Sequence, residues 1–167
     1  MTEQEKRQYQ CCFTRHRPEK LNVPETEVIA WLDAEIRKAI DDGFVTFISG
    51  MARGVDIWAA EIVLRLRDSG KPIHLICASP FEGFERSWSE DWRRRYIDVM
   101  RRADIVKFIC KGYSCACFQI RNEWMVDRSA RVIAVFNGEP GGTKNTIAYA
   151  DNEKVAIVSF EPLLRQK

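Results

Sequence analysis

The sequence has little excess charge of either sign and no long apolar run. Its 167 residues carry 26 basic and 24 acidic side chains, mixed along the chain, so the composition disfavours nucleic acid as a partner. No stretch approaches the roughly 18 consecutive apolar residues of a membrane-spanning helix, and the polar residues 1–10 lack the apolar core of a secretion signal. We therefore expect a cytoplasmic protein with no membrane partner.

Histidine is scarce, and the cysteines do not form a metal-binding pattern. The chain has two histidines and six cysteines. Three of the cysteines lie in apolar runs typical of strands, where cysteine behaves as a small hydrophobic residue. Cys115-x-Cys117 has neither a second cysteine pair nor a neighbouring histidine, so we expect no metal site. Unpaired cysteines also agree with a reducing, cytoplasmic location.

Short apolar runs alternate with helical patterns along the chain. The predicted strands cover residues 9–14, 44–48, 73–77, 105–110, 132–136 and 155–160. The predicted helices cover about 25–42, 55–69, a segment that Ser89 caps, 118–130 and about 145–151. This alternation is typical of a parallel sheet with helices on both faces. We predict an α/β fold: a Rossmann-like three-layer sandwich with a mostly parallel, doubly wound sheet, in a single domain whose core is about residues 10–160.

In doubly wound sheets, ligands bind beyond the carboxyl ends of the strands, where the strand order reverses. With the usual order 3-2-1-4-5, that crevice lies between the first and fourth strands. The loops beside it would be 14–18, 49–54, 111–114 and 138–143. These loops hold most of the unusual chemistry of the sequence, so we expect the site there.

The turn from Ser49 to Gly54 ends the second predicted strand and begins a helix at Val55. The first N–H groups of a helix have no intrahelical partners, and the helix dipole adds positive potential there. The turn is therefore a candidate phosphate cradle. The alternative is a plain strand-to-helix connection whose glycines only permit a tight turn.

Four motifs, in this order along the chain, resemble the YpsA-like branch of the SLOG superfamily, which is named for Smf/DprA and LOG proteins. F-T-R-H-R-P (13–18) is similar to the family's F-T-G-H-R-P, and S-G-M-A-R-G-V-D (49–56) to S-G-x-A-x-G-x-D. R-N-x-x-M (121–125) is similar to R-K-x-x-M, and P-G-G-T (140–143) to P-G-G-x-G-T. The resemblance implies a Rossmann-like fold that binds a nucleotide, NAD or an ADP-ribose-type ligand. It leaves a homo-oligomer open, since many relatives self-associate.

The motifs and loops together select the candidate ligand- and phosphate-binding residues. They are Thr14, Arg15, His16, Arg17, Ser49, Gly50, Arg53, Gly54, Asp56, Arg121, Gly141, Gly142 and Thr143. We expect Arg121 to pair with a phosphate, because a guanidinium binds phosphate oxygens bidentately. The alternative for this residue is a surface ion pair with Glu123 or Asp127.

Two further groups have candidate roles. Asp56 would repel a phosphate, so we assign it to ribose hydroxyls or to an ion pair with Arg17 or Arg53. Trp88 and Phe81 follow the third predicted strand, where they would flank a base by stacking, although a place in the core is the alternative.

The chain departs from the family pattern at two points. Arg15 stands where the pattern has glycine; it either obstructs the pocket or holds a different ligand through its side chain. LOG enzymes, which hydrolyse the N-glycosidic bond of nucleoside monophosphates, carry a glutamate after their glycine loop. Thr146 or Ala148 stands there in this chain, and that reaction is hard to explain without a carboxylate.

We therefore expect a module that senses or carries a nucleotide or nucleotide derivative, rather than an enzyme. A LOG-type nucleoside 5′-monophosphate phosphoribohydrolase is the first alternative. DprA-like binding of single-stranded DNA is the second, and the nearly balanced charge disfavours it.

Overall fold

The computed structural model of the protein describes residues 1–15, 23–136 and 141–160. Helices and strands alternate through these ranges, as the sequence pattern predicts. The elements are α1 (Glu3–Arg7), β1 (Gln10–Arg15), α2 (Glu25–Asp41), β2 (Thr46–Ser49), α3 (Val55–Asp68), β3 (His74–Ser79), α4 (Glu90–Arg102), β4 (Ile105–Phe108), α5 (Cys117–Asp127), β5 (Arg131–Val135), α6 (Gly142–Asn152) and β6 (Ala156–Phe160).

Six strands of the described chain form one sheet in the order β4-β3-β2-β1-β5-β6. Each neighbouring pair in this sheet is parallel. Cys12 of β1 lies between Ile48 of β2 and Val132 of β5, which fixes the register at the centre of the sheet. The predicted Rossmann-like, doubly wound α/β fold is confirmed.

The predicted strand order, however, is wrong. β4 lies at an edge of the sheet beside β3, whereas β5 takes the place next to β1. The reversal of strand order is therefore between β1 and β5. The burial of the strands agrees with this order: β1 and β5 are buried along almost their whole length, while all four residues of β4 are exposed. Lys107 in the middle of β4 is typical of an edge strand.

The core lies on both faces of the sheet, because successive residues of a strand point to opposite sides. On one face, Phe13 and Phe47 stack with their ring centroids 6.2 Å apart and pack with the buried residues of α2, α3 and α4. On the other face, Cys12 and Ile48 pack with Met125 of α5 and with α6. The helices thus form the two outer layers of a three-layer sandwich.

The ends of several helices follow from their capping residues. The side chain of Ser89 accepts a hydrogen bond from the Trp92 amide, so the predicted cap of α4 is confirmed. α1 was not predicted, although Thr2 and Glu5 form a capping box, which is a signal that the sequence contains. α6 begins three residues before its predicted start because Gly142 and Thr143 already belong to the helix.

Two negative findings apply to the part of the chain that the structure describes. None of its helices is long and apolar enough to cross a bilayer. No three of its histidine, cysteine, aspartate and glutamate side chains lie close enough together to hold a metal ion.

Candidate functional site

The turn that follows β2 is held by its own side chains. The Ser49 hydroxyl donates to the carbonyl oxygen of Asp56 at 2.8 Å and accepts from the amide of Met51 at 3.2 Å. The Asp56 carboxylate accepts from the amide of Ala52 at 3.1 Å. Met51 is in the left-handed region with φ 64°, which is rare for a residue with a side chain. The turn is therefore a rigid structure, and two of its N–H groups already have partners within the protein.

Arg15, at the carboxyl end of β1, contacts Asp56 from the other side. Its Nε lies 3.4 Å from Oδ2 of Asp56, and the two side chains are 16% and 2% exposed. The contact is an ion pair without a hydrogen bond, since Arg15 Nε and Asp56 Oδ1 have no hydrogen-bond partner among the described residues. Asp56 is predicted to meet ribose hydroxyls, Arg17 or Arg53, and Arg17 lies outside the described residues. Arg53 instead lies over the ring of Trp88, 5.7 Å from its centroid.

Arg121 of α5 contacts the same turn, at the end of β2. Its Nη1 donates to the carbonyl oxygen of Gly50 at 2.6 Å, and its Nε donates to Asn122 Oδ1 at 2.8 Å. With 2% of its surface exposed, it is among the largest fully buried side chains of the described protein. The alternative of a surface ion pair with Glu123 or Asp127 is wrong, because Arg121 is buried and donates to Gly50 and Asn122.

The charges at this point do not balance within the described residues. Arg15 and Arg121 bring two positive charges beside the single carboxylate of Asp56. Burial, and after it the charge of Arg15, lower the pKa of Arg121 to about 10, although Asp56 acts in the opposite direction. Arg121 is still protonated at neutral pH, so Arg15, Asp56 and Arg121 together carry a net charge of about +1 that an anion would neutralise.

Gly50 is required for the close approach of these groups. A Cβ atom at Gly50 would lie 3.0 Å from Oδ2 of Asp56 and 3.1 Å from Cδ and Nε of Arg121. Ordinary side-chain contacts are longer than this, so only glycine fits without moving the carboxylate or the guanidinium.

Two helices begin at this crevice with a glycine at the N-cap. α3 follows Gly54, which has φ 88°, and α6 follows Gly141, which has φ 146°. Glycine has no side chain to accept a hydrogen bond from the first N–H groups, so neither helix has a side-chain cap. The Thr143 hydroxyl donates to the backbone oxygen of Arg15 and thereby joins the start of α6 to the end of β1.

The structure thus brings together six of the thirteen predicted site residues. Arg15, Ser49, Gly50, Asp56 and Arg121 are linked by the contacts above, and Thr143 joins them through the backbone of Arg15. Thr14 is buried in β1. His16 and Arg17 lie outside the described residues, as do 138–140 of the second glycine loop. The loop 111–114 follows the edge strand β4, so it does not border the reversal point between β1 and β5.

Next to Arg121 lies a cluster of aromatic rings, which we call the aromatic cluster. Its members are Phe81, Phe84, Trp88, Tyr96, Tyr113 and Phe118. Trp88 is buried between Phe84 and Tyr96, with centroid distances of 4.9 and 5.5 Å, so it belongs to the core rather than to an open stacking position. The Tyr96 hydroxyl is hydrogen-bonded to Ser79 at 2.8 Å, and burial raises its pKa to about 12.

Thr146 and Ala148, at the positions where LOG enzymes carry a glutamate, offer no carboxylate to the crevice. The Thr146 hydroxyl donates to the backbone oxygen of Gly142 at 2.7 Å, and Ala148 is exposed on α6. Asp56 is the carboxylate that contacts the turn after β2, and it is already bonded to Ala52 and Arg15.

Comparison with known proteins gives one family and several distant relatives. The YpsA model, described as the YspA SLOG family, matches residues 11–159. A UPF0398 protein of Halalkalibacterium halodurans is 29% identical over 113 residues, a match that covers 66% of this chain and 60% of the relative. A UPF0398 protein of Oceanobacillus iheyensis is 27% identical over 140 residues, covering 78% and 76%. The match thus spans about three fifths of the first relative's length.

Two solved structures of DNA processing protein A share the fold. The Helicobacter pylori protein, whose single-stranded DNA binding mode its structure describes, has a TM-score of 0.65 and 17% identity, over 94% of this chain and 66% of its own. The Streptococcus pneumoniae protein has a TM-score of 0.57 and 14% identity, over 91% and 50%. At these identities the likeness concerns the fold alone.

Proposed function

Because the chain belongs to the YpsA family of SLOG proteins, we propose that it binds a nucleotide or a nucleotide derivative at the crevice between β1 and β5. The observation that carries this proposal is the unbalanced charge at the turn after β2. Among the described residues, two arginines, one of them fully buried, face a single carboxylate there. A buried excess of positive charge is costly unless an anion neutralises it, and guanidinium groups bind phosphate oxygens through strong, bidentate hydrogen bonds.

The phosphate is expected to be held by side chains more than by the turn. The amides of Met51 and Ala52 already donate to Ser49 and Asp56. Arg15 has a buried Nε without a hydrogen bond, and it lies at the mouth of the crevice. The uncapped starts of α3 and α6 supply further N–H groups for the same anion.

The carboxylate of Asp56 would accept a hydrogen bond from the sugar of the ligand. Its Oδ1 is buried and has no hydrogen-bond partner among the described residues. A carboxylate oxygen only accepts, so it needs a donor, and a ribose hydroxyl is such a donor. In this arrangement Arg15 stands between the carboxylate and the phosphate and interacts favourably with both.

Binding without hydrolysis fits the crevice better than a LOG-type reaction. Hydrolysis of an N-glycosidic bond needs a carboxylate that is free to stabilise the reacting sugar or to activate water. Oδ2 of Asp56 is tied to Ala52 and Arg15, and its Oδ1 is assigned to a ribose hydroxyl. Among the described residues, Thr146 and Ala148 supply no replacement.

Single-stranded DNA is the second candidate ligand. The aromatic cluster beside Arg121 and Arg53 favours it, since proteins that bind single strands combine cationic grooves with aromatic rings on which bases stack. The binding that is described for the Helicobacter pylori protein belongs to that protein, and the small net charge of this chain favours a small ligand over a polymer.

Identification of the ligand that co-purifies with the protein, by native mass spectrometry, is the direct test. Isothermal titration with ribose 5-phosphate, AMP, NAD and ADP-ribose then measures affinity. We expect at least one to bind to the wild type and to bind at least tenfold more weakly to Arg15→Gln. Arg128→Gln, on the far end of α5, is the control and should bind as the wild type does. Failure of every phosphate compound to bind to the folded protein would contradict the proposal.

A further inference from the structure

The aromatic cluster connects the buried arginine of the crevice to solvent. At one end, the guanidinium of Arg121 lies 6.0 Å from the ring centroid of Phe118. Phe118 in turn lies 6.3 Å from Phe81 and 6.3 Å from Tyr113, both at steep interplanar angles. At the other end, Tyr113 is 70% exposed. The ring of Phe118 therefore lies between the guanidinium of Arg121, which would contact a phosphate, and Tyr113, which is open to solvent.

Tyr113 is fixed in place despite its exposure. Its ring meets Phe81 at 5.9 Å and an interplanar angle of 83°, the edge-to-face geometry that aromatic pairs prefer. The loop that carries it is bonded to the loop after β3, because the amides of Ile109 and Cys110 donate to Ser79 and Pro80, both at 2.9 Å. The ring is thus positioned before any ligand arrives, which lowers the entropic cost of binding.

The position of the loops explains why the ring lies near the turn after β2. In a parallel sheet, the segments that follow β2, β3 and β4 all begin at the carboxyl ends of the strands, on the same side of the sheet. The turn after β2 carries the charge, and the loops after β3 and β4 carry the aromatic rings. The sequence prediction assigned base stacking to Trp88 and Phe81, but Trp88 is buried within the cluster, and the ring that solvent reaches is Tyr113.

From this continuity we infer that Tyr113, supported by Phe81 and Phe118, is the stacking platform for the base of the bound nucleotide. The inference rests on the proposed function and names its ligand class: a phosphate ester that carries a planar heteroaromatic ring. An anion site alone accepts any phosphate ester. An anion site that continues into exposed aromatic rings prefers a ligand that is anionic at one end and planar and apolar at the other.

The test compares ligands that share a phosphate and differ in the base. Titration calorimetry of the wild type uses inorganic phosphate, ribose 5-phosphate, AMP and adenosine. We expect AMP to bind about tenfold or more tightly than ribose 5-phosphate, which is the range of one base–aromatic stack. Tyr113→Ala should remove this preference and leave the affinity for ribose 5-phosphate within twofold, whereas Tyr113→Phe should retain it. Tyr9→Ala removes another exposed tyrosine, which precedes β1 and therefore lies at the amino ends of the strands, away from the proposed site. This variant should change neither affinity.

The outcomes separate the two proposals. Equal affinity for AMP and ribose 5-phosphate, or an equal loss of both in Tyr113→Ala, overturns the stacking role and leaves the phosphate site standing. Adenosine that binds in a Tyr113-dependent manner, with no binding of any phosphate, supports the stacking role and overturns the proposed function. Tyr113-dependent binding of an oligothymidylate, without binding of AMP, overturns the mononucleotide class in favour of a single strand.

Discussion

Arg121 and Gly50 are 71 positions apart in the chain, yet the guanidinium of the first donates to the carbonyl oxygen of the second at 2.6 Å. This contact joins α5, which lies on one face of the sheet, to the turn at the end of β2. Because both residues are buried, the hydrogen bond is shielded from water and its loss would leave an unsatisfied carbonyl.

Replacement of Arg121 by alanine should therefore lower the stability of the protein. The change leaves a cavity, and it removes the donors to Gly50 and Asn122. We expect the free energy of unfolding to fall by about 2 kcal/mol, even though a costly buried charge is also removed. Urea unfolding should show a lower midpoint with an unchanged slope.

Arg128→Ala provides the control for that variant. Arg128 lies at the end of the same helix, donates to the backbone oxygen of Trp124 and stacks on its ring at 4.0 Å. Its loss should cost no more than about 1 kcal/mol, since the contact is partly exposed. Equal effects of the two variants would show that the buried contact with Gly50 contributes nothing of its own.

Any side chain at position 50 should lower the stability of the protein. In Gly50→Ala the new Cβ would meet Asp56 and Arg121 at 3.0–3.1 Å, so one of them must move. We expect a loss of about 1–3 kcal/mol in the free energy of unfolding, as is typical of overpacked sites. Gly112→Ala is the matched control, because a Cβ there meets nothing within 4 Å, and it should be neutral or slightly stabilising. A neutral Gly50→Ala would contradict the close packing of the turn.

Arg15 and Asp56 should be energetically coupled. A double-mutant cycle with Arg15→Gln and Asp56→Asn is expected to give a coupling free energy of about 0.5–3 kcal/mol, because the pair is mostly buried. The same cycle on the exposed pair of Lys6 and Glu3 should give about 0.5 kcal/mol or less. Equal coupling in the two cycles would mean that the contact in the crevice is only a surface ion pair.

Inorganic phosphate should stabilise Asp56→Asn more than the wild type. Without the carboxylate, Arg15 and Arg121 have no counter-charge among the side chains described at the site. An added anion should therefore raise the melting temperature of the variant more steeply, and chloride at equal ionic strength serves as the control. Identical phosphate dependence of the two proteins would show that the anion does not bind near Asp56.

Cysteine reactivity should follow burial. Cys115 is exposed, whereas Cys12 and Cys77 are buried and burial raises the pKa of each thiol to about 12. A raised pKa keeps these thiols protonated and unreactive at pH 8, because the thiolate is the nucleophile. The native protein should release the first equivalent of chromophore rapidly from DTNB, and Cys115→Ser should abolish that fast phase. The half-buried Cys110 should react more slowly. Rapid reaction of Cys12 or Cys77 without denaturant would contradict the packing of β1 and β3.

The elements of the fold could be predicted from the sequence, but their order in the sheet could not. Local signals mark each element: the Ser89 cap begins α4, and apolar runs mark the strands. Strand order depends on which strands bury both faces, a property of the whole sheet. Lys107 is a local sign that β4 lies at an edge, but the usual order 3-2-1-4-5, which was assumed for the prediction, places the fourth strand beside the first.

The residues of the candidate site can be named from sequence motifs, whereas their contacts cannot. The two glycine turns and Arg121 were named from motifs, and the structure brings Arg121 and the first turn together. The ion pair of Arg15 with Asp56, and the replacement of Trp88 by Tyr113 as the exposed ring, depend on side-chain packing across distant elements. Such packing cannot be predicted from a local pattern of residues.

The strand order also divides the chain into an early and a late part. β1 to β4 are neighbours in the order in which they are synthesised, so these strands can pair as the chain emerges from the ribosome. β5 then joins the free edge of β1, and only the late part brings Arg121 to Gly50 and Thr143 to Arg15. The proposed anion site is therefore completed by α5, β5 and α6, which are synthesised after the first four strands. A ligand bound there would contact both parts of the chain and would stabilise molecules in which both parts have folded.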